Sequence, residues 1–317
     1  AAHIDAITIV GPQSFRVDSL GNLTGAVDPR VLELAQKHGV AVMPLIVNPG
    51  WNRELFHRVL EQPEARARVV RRMVELARQH DFRGWQFDFE HIHISDRDAL
   101  TAFYREAADA LHADGRLMSI AVMPEAGTAE ASPFHRWFHD YLSGAYDLKA
   151  IADIGDFISV MTYVQHTSRT PPGPVGGVPW TERVVRLMLE QGVPPEKISL
   201  GVAFFSYHFF TGFNEERKGF PNARGLSYAA ADALLRRAGA QRNWDDTQKA
   251  HWAMWENAGT FEHLWLEDAR SVDAKLDLVD KYGLRGISVW RLGQEDPAVW
   301  TGPLRGPGRA AQATGRQ

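Results

Sequence analysis

Residues 82–90 read FRGWQFDFE. Within them 84–89 is a short, largely apolar run with the composition of a β-strand, and Asp88 and Glu90 share strand parity, so both point to the same side where the strand runs out into a loop. In a (β/α) barrel that end of a strand is the rim where active sites are built. Two carboxylates on one inward face repel each other and are partly desolvated, which favours keeping one of them protonated near neutral pH, and a neutral carboxylic acid can hand a proton to a leaving group. An ion pair with an arginine, or a shared metal ion, are the other reasons a sequence places two acids so close.

On both sides of this run, apolar β-branched stretches alternate with longer amphipathic ones. Strand candidates are 6–10, 41–47, 84–89, 118–123, 157–163, 198–205 and 286–292. Their near-continuous hydrophobicity suits strands covered on both faces. Between them lie helices with readable ends. Asp28-Pro29 supplies a cap and a first-turn proline, and Gly39 a stop. In 64–80 the residues Val69, Val70, Met73, Val74 and Leu76 form one apolar stripe with arginines opposite. Further amphipathic segments occupy 100–112 and 270–282. Repeated βα units of this kind predict an α/β chain of the (β/α)8 (TIM) barrel class spanning 1–304. One segment, about 208–266, breaks the rhythm. It holds a helix-like stretch at 227–238 and then Trp244, Trp252, Trp255 and Trp265, and reads as a small α+β insertion before the last barrel helix, its aromatic residues suited to a groove for ligands with flat apolar faces. The tail, 305–317, is rich in Gly, Arg and Gln without periodicity and is expected to be disordered.

Composition narrows the partners. The chain has 317 residues, a formal net charge of -4 and no cysteine, so a disulfide, a thiolate metal site and a cysteine nucleophile are excluded, and nothing points to nucleic acid or an anionic membrane. No apolar run is long enough for a membrane span. The first residues do not read as a signal peptide, and a start at Ala1 rather than Met is what a processed or trimmed chain shows. His80, His91 and His93 lack the spacing of zinc ligands, so no metal site is expected.

The 82–90 segment resembles glycoside hydrolase family 18, the chitinase family, whose strand motif D-G-x-D-x-D-x-E ends in the proton donor; Gly84, Asp88 and Glu90 match it. Further matches follow in order: MTY at 161–163 and then His166, GPVGGVPW at 173–180, KISLGVAFFSY at 197–207 and GISVWRLG at 286–293. Within the family the chain is most similar to the bacterial spore-germination and cortex-lytic N-acetylglucosaminidase branch. The resemblance implies a substrate-assisted retaining hydrolase acting on β-1,4 linkages of N-acetylglucosamine-containing glycans, with no metal or organic cofactor. Glu90 is then the acid, Asp88 orients the substrate's acetamido group, Tyr163 hydrogen-bonds it, and Trp290 forms the apolar floor under the sugar. Gln86, His166 and Trp180 are the further substrate contacts. Such a substrate class leads one to expect an extracellular or cell-envelope location. Peptidoglycan and chitin-like oligosaccharides are the leading polymers, with glycoprotein N-glycans a related target. A catalytically silent glycan-binding protein on the same barrel, and a metal-dependent barrel hydrolase, are the rival readings.

Three departures accompany the matches. Gln86 stands where the motif has Asp or Asn, Arg83 where it has Asp, and Val164 where many members carry Asp after the tyrosine. They bear on how Glu90 is tuned rather than on its presence. The family also places its glutamate on the fourth barrel strand, whereas only two strand candidates precede 84–89 here, so the barrel is expected to lack its first strand.

Overall fold

The computed structural model describes residues 2–210 and 222–305. The chain divides into two compact units, Ala1–Val160 with Leu187–Ile198, and Met161–Arg186 with Ser199–Gln317. The first begins with β1 (Ile9–Val10), β2 (Gln13–Val17), β3 (Leu23–Gly25), α1 (Pro29–His38), β4 (Ala41–Val42) and β5 (Leu45–Val47). It continues through α2 (Arg53–Glu61), α3 (Pro63–His80), β6 (Gly84–Asp88), α4 (Arg97–Ala113), β7 (Leu117–Val122), α5 (Pro133–Phe138), α6 (Leu148–Ile154) and β8 (Phe157–Val160). Parallel pairing runs β1 on β4, β2 on β5, β5 on β6, β6 on β7 and β7 on β8. β3 pairs antiparallel with β2.

Pro12 and Pro44 have no N–H to give to a ladder, which is why two of these strands are interrupted. The pairing nevertheless carries across the gap: Met43 N–H donates to Val10 O at 3.0 Å and Leu45 N–H to Pro12 O at 2.9 Å. β1–β2 and β4–β5 therefore each act as one strand.

Beyond β8 the chain forms α7 (Val178–Glu190), β9 (Ile198–Ala203), β10 (Phe205–Phe210), β11 (Asn222–Ser227), α8 (Tyr228–Ala238), β12 (Asn243–Asp245), β13 (Ala250–Asn257), β14 (Thr260–Leu266), α9 (Ala269–Tyr282) and β15 (Gly286–Trp290). β15 pairs parallel with β9. Among the described residues this makes seven parallel barrel strands, the number read from the sequence, and the mostly parallel sheet interleaved with helices is the (β/α) barrel architecture. Several strand boundaries move: the first candidate, 6–10, begins at Ile9 and is continued by β2, 157–163 ends as a strand at Val160, 198–205 ends at Ala203 and 286–292 at Trp290.

Caps explain several helix ends. The Asp28 carboxylate accepts from Arg30 N–H at 2.9 Å, Pro29 opens α1, and Gly39 closes it at φ 67°. Asp268 and Ser271 form a reciprocal capping box on α9.

β6 is central to the first unit's core. Trp85, Phe87 and Phe89 are fully buried. Phe87 lies 5.0 Å from Phe103 of α4, Phe89 lies 4.3 Å from Phe56 of α2, and Trp85 Nε1–H donates to Met73 O of α3 at 3.0 Å. Each such ring contributes about 1.5–3 kcal/mol. At the strand's start a Cβ on Gly84 would stand 2.0 Å from Leu117 O of β7, so only glycine permits that strand spacing.

The second unit holds a separate five-stranded antiparallel sheet in the order β11-β10-β14-β13-β12. α8, capped by Ser227, packs Ala231 and Leu235 onto Ala253, Leu264 and Leu266. This is the α+β insertion ahead of α9. Trp255 belongs to its interior, packed on that cluster and stacked on His208 at 5.5 Å. Trp252 and Trp265 point to the opposite face and stack on each other at 6.3 Å. Of the sequence-based expectations, residues 211–221 of the insertion and 306–317 of the tail lie outside the described residues. Among the described residues no helix is long and apolar enough to cross a membrane.

Candidate active site

The aromatic parity of β6 faces the helices, so the opposite parity, Gln86, Asp88 and Glu90, faces away from them. Asp88 is only 4% exposed, and its Oδ2 accepts from Gln13 Nε2 at 2.7 Å. Burial pushes its carboxyl up from the ordinary aspartate value, opposed by the Gln13 hydrogen bond. Glu90 is pushed up to about 7, first by burial and second by the negative charge of Asp88. An acid with that pKa is close to half protonated at neutral pH, as proton transfer to a leaving group requires.

The Glu90 backbone is held from the neighbouring strand. β5 ends at Val47, which is in register with Asp88, and beyond it the Asn48 carboxamide takes over the role of a ladder step. Its Nδ2 donates to Glu90 O at 2.8 Å and its Oδ1 accepts from Glu90 N–H at 3.0 Å. Tyr146, fully enclosed, donates its hydroxyl to Phe89 O at 2.6 Å. Burial and the charges of Glu90 and Asp88 push the Tyr146 phenol well up, so it stays a neutral donor. The two peptide groups that flank the acid are thus fixed at three of their polar atoms by side chains, which sets where its carboxyl is aimed.

Gln86 sits one step further in along the same parity. Its Oε1 accepts from Ser119 Oγ at 3.2 Å and Ser159 Oγ at 3.4 Å, on β7 and β8. A neutral carboxamide here adds no third negative charge beneath Asp88.

The other sequence-predicted residues belong to the second unit. Tyr163 lies just past the end of β8, partly buried, with its ring 6.3 Å from Phe205. Trp290 is the last residue of β15, and its carbonyl accepts from Phe204 N–H at 2.7 Å. Trp180 lies in the first turn of α7, partly buried. His166 is folded into its own loop: Nδ1–H donates to Pro171 O at 3.0 Å, and a Cβ on Gly173 would meet its ring at 2.4 Å. Burial lowers its pKa and keeps the ring neutral.

Gln13, Asn48 and Tyr146 were not singled out from the sequence. Asn48 directly follows a strand candidate, the one local signal any of them carries. His80 stacks on Phe82 at 5.4 Å and His93 Nδ1 contacts Ser95 Oγ at 2.9 Å. Among the described residues no three His, Asp or Glu side chains form a group able to hold a metal ion.

This chain belongs to the glycosyl hydrolases family 18, whose family model matches residues 24–295. The expected likeness to cortex-lytic proteins is borne out by its relatives. The cortical fragment-lytic enzyme of Bacillus subtilis (strain 168) is 30% identical over 298 residues, covering 93% of this chain and 66% of that protein; the chain thus spans just under two thirds of that relative's length. The spore cortex-lytic enzyme SleL of Bacillus megaterium QM B1551 has a similar structure, with a TM-score of 0.83 at 25% identity over 95% of this chain and 67% of that one. A chitinase from Chromobacterium violaceum ATCC 12472 gives a TM-score of 0.83 at 26% identity, covering 100% of this chain and 94% of that one.

Proposed function

We propose that this chain is a glycosidase cleaving β-1,4 linkages of N-acetylglucosamine-containing glycans, peptidoglycan or chitin-like oligosaccharides, with retention and with the substrate's own acetamido group as nucleophile. Glu90 gives its proton to the glycosidic oxygen as that bond breaks, and the acetamido carbonyl oxygen bonds to the anomeric carbon, forming an oxazolinium ion. Asp88 accepts from the acetamido N–H and balances the positive charge that develops there. Water then attacks the anomeric carbon, its proton passes to the Glu90 carboxylate, and the acetamido group is regenerated. Tyr163 hydrogen-bonds the acetamido group, Trp290 supplies the apolar floor, and Gln86, His166 and Trp180 complete the contacts.

The observation that carries this reading is Glu90 held up to about 7 by burial and Asp88. Below that pH it is the neutral acid the first step needs, so kcat/KM falls as pH rises through about 7. Release of reducing ends from peptidoglycan and chitooligosaccharides, with mass analysis of the products, tests it. Glu90→Gln should lower turnover about 10²–10⁴-fold while binding is retained. A wild-type protein that binds these glycans without turnover would sink the enzyme reading in favour of a glycan-binding protein.

A further inference from the structure

Between β7 and α6 the chain leaves the barrel rim as a separate arm, in which α5 runs directly into a single π-helical turn, His139–Ser143. Its underside is tied down. Glu125 Oε1, three residues past β7, accepts from His139 Nδ1 at 2.5 Å and from Ser143 Oγ at 2.6 Å. Ser132 caps α5 through His135 N–H at 3.2 Å. Its outer side carries Phe134, Trp137 and Tyr141, spaced to fall along one stripe. Phe134 is 61% and Trp137 46% exposed, an unusual outlay of aromatic surface on so short a segment. Successive rings lie 6.2 Å apart, tilted by 32° between Phe134 and Trp137 and by 26° between Trp137 and Tyr141. The three ring planes are therefore roughly parallel, and the faces of Phe134 and Trp137 are the more open to solvent.

Its inner end meets the loops around the acid. The Tyr141 ring stands edge-on to His93 at 5.0 Å, three residues beyond Glu90. The Arg53 guanidinium lies 4.9 Å above the same ring, five residues beyond the Asn48 clamp. All of these residues belong to the first unit, and the Tyr141 end of the stripe lies beside the loop that follows Glu90.

We propose that Phe134, Trp137 and Tyr141 form a stacking platform for the glycan strand that Glu90 cleaves, holding sugars remote from the scissile bond. The inference rests on the glycosidase reading above for the identity of the strand. Pyranose rings present flat C–H faces that pack on aromatic faces and keep their hydroxyls in water, whereas a protein partner would be served equally well by aliphatic side chains. Arg136, between Phe134 and Trp137 in sequence, is exposed as well. Binding energy from such remote contacts is gained on a polymer and absent on a short substrate.

The test uses Trp137→Ala, Trp137→Leu, Trp137→Phe and the double variant Phe134→Ala/Trp137→Ala, in co-sedimentation with insoluble peptidoglycan and insoluble chitin. Hydrolysis of those polymers is followed in parallel with hydrolysis of chitotetraose. Trp137→Ala and Trp137→Leu should weaken co-sedimentation about five- to tenfold, the double variant more, and Trp137→Phe should restore most of it. Polymer hydrolysis should fall in proportion while chitotetraose hydrolysis stays unchanged. Co-sedimentation of Trp137→Leu equal to wild type overturns the platform, because an apolar contact would then suffice, and so does a wild type that sediments with neither polymer. Sedimentation needs no turnover by Glu90. Absence of reducing ends from every substrate therefore overturns the glycosidase reading separately from the platform.

Discussion

Glu267 and the partly buried Glu90 both have their pKa values pushed up by burial, and they keep opposite company. Glu267, at the end of β14 in the second unit, is 2% exposed, and its Oε2 accepts from Lys275 Nζ at 2.6 Å and Ser271 Oγ at 2.8 Å. Burial raises its pKa, but the Lys275 charge works against that rise. Glu90, in the first unit, has for its charged neighbour a second carboxylate, Asp88, which adds to the effect of burial. Burial alone therefore does not mark an acid as catalytic. A cation makes a buried carboxylate part of the framework; a second anion leaves it ready to carry a proton.

The largest effect expected from breaking this contrast is on the framework side. Lys275→Met leaves Glu267 enclosed without its cation and should cost about 3–5 kcal/mol of unfolding free energy in urea. Adding Glu267→Gln should recover most of that loss. Recovery of nothing would mean that Lys275 contributes through its packed stem rather than its charge.

Neutralising the other carboxylate should have the opposite sign. Glu90 has a folded pKa of about 7 against an ordinary glutamate value of 4.5. Its ionisation therefore opposes folding, starting as pH rises past 4.5 and reaching the full penalty above about 7. Glu90→Gln removes that penalty. The variant should match wild type near pH 4 and exceed it by on the order of 2–3 kcal/mol at pH 8. Denaturant midpoints at the two pH values decide this, and an equal difference at both would show that the gain is not linked to a proton. The same substitution that should abolish turnover thus stabilises the fold, a trade expected where an active-site group is held in an unfavourable charge state.

How much of this was legible follows from how local each signal is. The parity of Asp88 and Glu90 is a property of three consecutive residues, and the Asp28-Pro29 cap and the apolar stripe of α3 are likewise local; all stand in the structure as read. The supports of the acid are not local. Gln13 reaches Asp88 across 75 residues and Asn48 reaches Glu90 across 42, through ordinary carboxamides that resemble any polar residue near a strand end. Only the pairing of β2 on β5 and β5 on β6 brings them together. The tryptophans of the insertion attracted a ligand-groove reading by number alone, yet Trp255 is consumed by the insertion's own interior. Phe134 and Trp137, by contrast, are exposed, on an arm with no strand or long helix to draw attention to it. Exposure depends on what packs against a residue, and composition carries no record of that.

Asp88→Asn sharpens the comparison with the smallest change, one oxygen exchanged for an amide nitrogen at an enclosed site. Two consequences should separate. The plateau rate should fall on the order of a hundredfold, since an amide balances the charge developing on the acetamido group less well than a carboxylate. The alkaline limb of kcat/KM should move to lower pH, because Asp88 is one of the two causes holding Glu90 up; burial, the larger cause, remains, so Glu90 should stay above an ordinary glutamate. A pH profile on a soluble chitooligosaccharide reads both quantities at once. A limb that stays in place while the plateau falls would mean that burial alone sets the Glu90 proton, leaving Asp88 to act only on the substrate. A limb that falls to the ordinary glutamate range would reverse that order and make the anion, rather than the enclosure, what distinguishes Glu90 from Glu267.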